Sequence, residues 1–222
     1  MTRQGLRIAA AMTALLATTP MASVAQTAQT APPAQTTAAT TLTAAERARL
    51  VAHLEQTRDN FLKAIDGVSP QQWTFKAAPE RWSIAETAEH IIAAEGLLRG
   101  LQEQLMKEPA ATTPRPDVAA QDDKILAFLA DRTSKVKAPE PLVPKGTVAS
   151  PADAREKFLA TRGVTLKYAQ ETQDNLRAHV GGQPPFKDTD AYQLLLVISA
   201  HSARHTAQIL EVKTASSYPT QE

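Results

Sequence analysis

The chain has 222 residues, 24 Lys+Arg against 23 Asp+Glu for a formal charge of +1, 43% hydrophobic residues and no cysteine. A near-cancelled charge with no basic block lacks the footprint that neutralises several phosphates, so no nucleic-acid partner is expected. Zero cysteine excludes disulfides, thiolate metal sites and cysteine nucleophiles, so a metal must rest on His, Asp or Glu, and no glycine sits in a nucleotide-phosphate motif.

Arg3 and Arg7 precede an apolar run from Ile8 to Ala17, and Ser23-Val24-Ala25 offers small residues before Gln26. This is the pattern of a secretory signal peptide over residues 1–25, too short to span a bilayer. Cleavage removes two arginines and no acid, taking the formal charge from +1 to −1. The expected product is exported, periplasmic or secreted, with no membrane span. Residues 26–42 are almost all Thr, Ala, Gln and Pro and read as a disordered leader.

The domain is expected over 43–214. Thr43-Ala44-Ala45-Glu46 has the form of a capping box, and Leu50, Val51, Leu54, Phe61, Leu62 and Ile65 recur at helical spacing up to Asp66-Gly67. Pro70 and Pro79 break the next stretch, where Trp73, Phe75 and Trp82 supply bulk to plug a core end. A second capping box, Ser83 to Glu86, opens a helix through Ile91, Leu98 and Leu105, stopped by Pro109. A short crossover helix is expected between Ala119 and Ser134, then a loop containing Pro139, Pro141, Pro144 and Gly146. Ser150-Pro151 starts a third long helix that the pattern carries to Gly181-Gly182, with the least regular apolar stripe of the four. The last helix starts near Asp188 or Thr189 and runs through Leu194–Ile198 to Val212; residues 215–222 read as a flexible tail. Four long amphipathic helices, an extra short one and no strand pattern argue for an all-α four-helix bundle.

At about 100° per residue, His201 and His205 fall within about 20° of Leu194, in the middle of the inward face. Four apart, they stack on adjacent turns and can converge on one point. His90 sits on the flank of the second helix's buried stripe. His90, His201 and His205 are therefore candidate ligands of one divalent metal, the alternative being three separately hydrogen-bonded core or boundary histidines. His53 reads as surface, and His179 as a cation at the end of the third helix.

Trp82-Ser83-Ile84-Ala85-Glu86, leading to His90 and Glu95, together with His201-Ser202-Ala203-Arg204-His205-Thr206-Ala207-Gln208, resembles the DinB superfamily in its DinB-like form. The likeness covers about residues 43 to 213. It implies a divalent metal on His90, His201 and His205, with zinc or nickel foremost and iron or manganese as alternatives. It also implies Lewis-acid activation of a thiol or water, as in thiol-dependent S-transferases and isomerases, on a small-molecule substrate, and a homodimer. A non-catalytic bundle binding metal or a small ligand in the cell envelope is the alternative. Around the site, Glu86 can reach the His90 ring but is also wanted by its capping box. Arg204 points sideways toward a salt bridge with Glu89 or Glu95, and Gln208 either bonds a histidine ring or packs. Trp73 and Trp82 are expected to pack.

Overall fold

A computed structural model describes residues 41–133, 137–182 and 186–220. The expected signal peptide and nearly all of the expected leader lie outside the described residues. Leu42, at the leader's end, is buried against the core.

The helix starts follow from side chains that satisfy the amide hydrogens a helix leaves unpaired. Helix α1 (Ala44–Ile65) carries the capping box of Thr43 and Glu46, and α3 (Ile84–Leu105) that of Ser83 and Glu86. Between them, α2 (Pro70–Thr74) is one turn that buries Trp73. The crossover helix α4 spans Val118–Ala130, and α5 (Pro151–Glu171) starts on the Ser150 hydroxyl with proline in its first turn. Helix α6 (Ala191–Lys213) has a capping box in Asp190 and Gln193.

Contacts along the helices fix their directions. Tyr192 donates to the Glu46 carbonyl at 3.0 Å and Ser199 lies 3.4 Å from Thr57, so α1 and α6 run the same way. Arg162 meets Leu54 while Ala169 meets Arg47, so α5 runs against α1. Glu95 pairs with Arg162 and Gln102 with Tyr168, so α3 and α5 are parallel. The bundle is therefore up-down-down-up. Helix α4 climbs outside it, returning the chain to the end where α5 must begin, and covers the outer face of α6: Arg49 pairs with Asp123, and Arg204 reaches the Leu129 carbonyl. That cover explains why every residue from Ala191 to Ala200 is buried.

The core has two apolar clusters, one around Leu50, Leu54, Leu98 and Leu194–Ile198, the other around Phe61, Ile84, Ile91, Phe158 and Ile209. Between them lies a polar layer. Arg162, fully buried, pairs with both Glu95 oxygens at 2.7 and 2.8 Å and donates to the Leu54 carbonyl, Thr57 and Ser202, each at 2.7–2.8 Å. Thr165 adds a bond to Glu95 at 3.0 Å. One guanidinium thus ties together all four long helices, and it explains the irregular stripe of α5, whose inward face carries Arg162 and Thr165.

Several expectations are corrected. Helix α5 ends at Glu171, ten residues before Gly181-Gly182. Thr172 and Asp174 bond each other (2.8 and 3.1 Å) and Asp174 accepts from Tyr168, so side chains take over from the helical ladder. His179 is consequently not at a helix end; its Nδ1–H donates to the Glu108 carbonyl just beyond α3 at 2.9 Å. A short antiparallel pair, β1 (Val180–Gly181) with β2 (Thr189–Asp190), replaces the helix's last turns. Finally, the described residues after Lys213, 214–220, are tied down: Tyr218 packs edge-on to Phe75 with centroids 5.5 Å apart, and Gln72 donates to the Pro219 carbonyl at 2.8 Å. His53 is half-buried rather than surface, in a hollow with Leu126 and Ala200.

Candidate metal centre

His90 lies in the second turn of α3, and His201 and His205 lie on successive turns of α6. The antiparallel packing of these helices, pinned at its end by Arg81 and Glu211 at 3.3 Å, brings the three imidazoles together. Ring centroids are 4.9 Å apart for His90–His201 and 4.4 Å for each of the other pairs. One nitrogen from each lies within 4.8 Å of the others, and no other such cluster occurs among the described residues. His90 is 3% exposed, while His201 and His205 are partly open, leaving the group reachable from outside.

Hydrogen bonds assign the ring protons. His90 Nδ1 lies 2.8 Å from the Leu142 carbonyl, which can only accept, so Nδ1 carries the hydrogen and Nε2 keeps its lone pair. His205 Nδ1 donates likewise to Gln208 Oε1 at 3.0 Å, turning its Nε2 lone pair free. Nε2 of His90 is 3.2 Å from Nε2 of His201. That gap needs a shared proton or a shared cation. Two imidazoles on a tetrahedral ion with bonds of about 2.0–2.1 Å stand about 3.3 Å apart, so this donor set fits a first-row divalent metal.

Burial holds all three rings in the neutral form that a ligand requires. Desolvation lowers the pKa of His90, against a small opposing effect of the Leu142 carbonyl. Desolvation, then the neighbouring His205 and His90, hold His201 well below its ordinary value, and desolvation foremost brings His205 to about 3. The metal-free protein should therefore lose stability as pH falls below about 6.5, where the unfolded chain takes up protons that the folded one refuses. Denaturant midpoints at pH 7.5 and pH 5 check this: the midpoint is lower at pH 5, and an unchanged midpoint contradicts it.

The sequence profile of the DinB superfamily matches residues 53–209, a span that runs from within α1 to within α6 and includes His90, His201 and His205. The chain belongs to the DinB superfamily. It is also 25% identical over 150 residues to the uncharacterized protein YuaE of Bacillus subtilis (strain 168), covering 67% of this chain and 88% of that protein. No solved structure matches.

The surroundings of this DinB-superfamily trio differ from residue to residue. Gln208, one of the three flanking candidates, bonds the His205 ring. Glu86 is taken up at the start of α3, with one oxygen accepting from the Ser83 amide at 2.7 Å and the other from Lys76 at 3.0 Å. Arg204 turns to the carboxyl end of α4, donating to the Leu129 and Asp131 carbonyls. The two acids expected to meet it are committed elsewhere, Glu95 to Arg162 and Glu89 to the backbone of Lys145, Gly146 and Thr147. Trp82 packs as expected, but against the site: its ring is 4.8 Å from His90 and 6.4 Å from His205, an apolar wall on one side of the cluster.

Two contributors escape sequence reading. The Leu142 carbonyl is a backbone group in a single 3-10 turn (Glu140–Leu142) of the proline-rich loop, and no side-chain pattern announces it. Glu89 looks like a surface partner for an arginine, yet it is 8% exposed and organises that loop. Its burial pushes its pKa up, but the bonds from Lys145, Thr147 and Gly146 outweigh this and hold the carboxylate ionised.

Proposed function

We propose that His90, His201 and His205 hold one divalent metal ion, zinc or nickel before iron or manganese, and that the protein is a metal-dependent enzyme of thiol- or water-activating type. The observation that carries this reading is the 3.2 Å approach of two imidazole Nε2 atoms, one of them deprotonated by its own hydrogen bond, beside a third histidine anchored by Gln208. When bound, the ion supplies Lewis-acid stabilisation of a thiolate or hydroxide and of developing negative charge. The chain's own residues orient the donors: Leu142 fixes the His90 tautomer, Gln208 that of His205, and Trp82 walls one side of the cluster. Such outer partners typically contribute about 10–100-fold to metal affinity. Gln208→Ala is therefore expected to weaken zinc binding by about 10-fold, read by competition with a chromophoric chelator; unchanged affinity contradicts the role given to Gln208.

Both carboxylates closest in sequence to His90 are already committed, Glu86 to capping and Glu89 to the loop. This favours a nucleophile brought in from outside, such as a thiol, over a hydrolase with its own general base. The same observation supports the second reading, a non-catalytic binder of metal or small ligand in the cell envelope. Thiol-transfer and esterase screens on untagged protein, with chelation and metal add-back, separate the two. Turnover that chelation abolishes and one metal restores supports the enzyme, whereas stoichiometric metal without turnover in any screen supports the binder.

We also place the mature protein outside the cytoplasm, on the strength of Arg3, Arg7, the Ile8–Ala17 run and Ser23-Val24-Ala25. Amino-terminal sequencing of protein recovered from the envelope fraction should begin at Gln26; an intact Met1 in the cytosol overturns this.

A further inference from the structure

Helix α3 grips the proline-rich loop through two consecutive residues. His90 holds it by donating to the Leu142 carbonyl. Glu89 holds it three residues further on, where its two oxygens accept from the amides of Lys145, Gly146 and Thr147 and from the Thr147 hydroxyl at 2.8–3.1 Å. Gly146 has φ +77°, the left-handed conformation that lets successive N–H groups curl round one anion and that glycine adopts without steric cost.

A buried carboxylate with four donors is directional in a way that an apolar plug is not. Removing its charge and one acceptor oxygen strands amides that the loop cannot satisfy within itself. The loop has little freedom to compensate, since Pro139, Pro141 and Pro144 limit its backbone and Leu142 is itself buried.

We propose that Glu89 is a positioning residue for the histidine centre: by pinning residues 145–147 it holds the Leu142 carbonyl against His90 Nδ1. It thereby fixes His90 in the tautomer whose Nε2 lone pair faces His201. Metal affinity depends on Glu89 although its carboxylate is spent entirely on the loop. This consequence rests on the metal reading of the three histidines; the tautomer does not.

The test is Glu89→Gln in the otherwise intact protein, with Thr147→Val, which removes one donor of the four, as a milder companion should the first variant fail to fold. Circular dichroism verifies helix content. Nitrogen-15 spectra of the imidazoles in metal-free protein report the His90 tautomer, and zinc competition titration reports affinity. The expected result is wild-type helix content, a new Nε2–H population at His90 and zinc affinity reduced about 10-fold or more, with Thr147→Val shifted in the same direction by less. A folded variant in which His90 keeps the wild-type tautomer overturns the proposal, whatever its zinc affinity. If the wild-type protein binds none of zinc, nickel, iron and manganese, the metal reading fails, and the tautomer of the variants still decides the role of Glu89.

Discussion

Arg162→Met is expected to destabilise the protein by about 3–5 kcal/mol, the cost of leaving one member of a buried ion pair without its partner. The size of the effect follows from which groups lose everything. Thr57, Thr165 and Ser202 each keep a bond to a carbonyl of their own helix, to His53, Thr161 and Ile198 at 2.9, 3.4 and 3.1 Å. Glu95 keeps only the Thr165 hydroxyl, at 2% exposure. Most of the loss is therefore a stranded carboxylate rather than missing attraction. The double variant Arg162→Met/Glu95→Leu should recover a large part of it, because replacing a whole buried pair by apolar groups of similar volume is often near neutral. Urea unfolding of the two variants decides: equal destabilisation of single and double contradicts this assignment. Single domains can have as little as about 5 kcal/mol in total, so the single variant comes close to the limit for folding.

The second large effect concerns His201. It lies 3.2 Å from His90 Nε2, and its ring neighbours both partners. Loss of an outer hydrogen-bond partner costs about 10–100-fold in metal affinity; His201→Ala removes a donor atom itself and should exceed that range. The fold should persist, since His201 sits at the partly open edge of α6 and the Arg162 layer beside Ser202 is untouched. Zinc competition titration together with circular dichroism measures both halves. Wild-type affinity in a folded His201→Ala protein contradicts the shared-ion reading of the trio.

Much of this architecture is legible from local chemistry. Thr43, Ser83 and the Ser150-Pro151 pair mark helix starts because their hydroxyls are needed there, and each caps as its position implies. The inward angle of His201 and His205 follows from helical periodicity alone. The legible part ends where the cause is tertiary. Arg162 on an inward face disrupts the stripe of α5, and nothing in its own helix reveals that Glu95 awaits it on another. The true end of α5 depends on Thr172 and Asp174 competing with the backbone, a contest that hydrophobic spacing does not register. Leu142 acts through its carbonyl, which every residue possesses. Glu89 acts through amides more than fifty residues away.

The most direct test of the central claim is the metal content of tag-free protein, by elemental mass spectrometry, compared with the His90→Ala, His201→Ala and His205→Ala variants. One divalent ion per wild-type chain, removed by chelation and restored on titration, with binding lost in each folded variant, is the predicted result. A wild-type protein that takes up no zinc, nickel, iron or manganese, or variants that bind as tightly as the wild type, would contradict it.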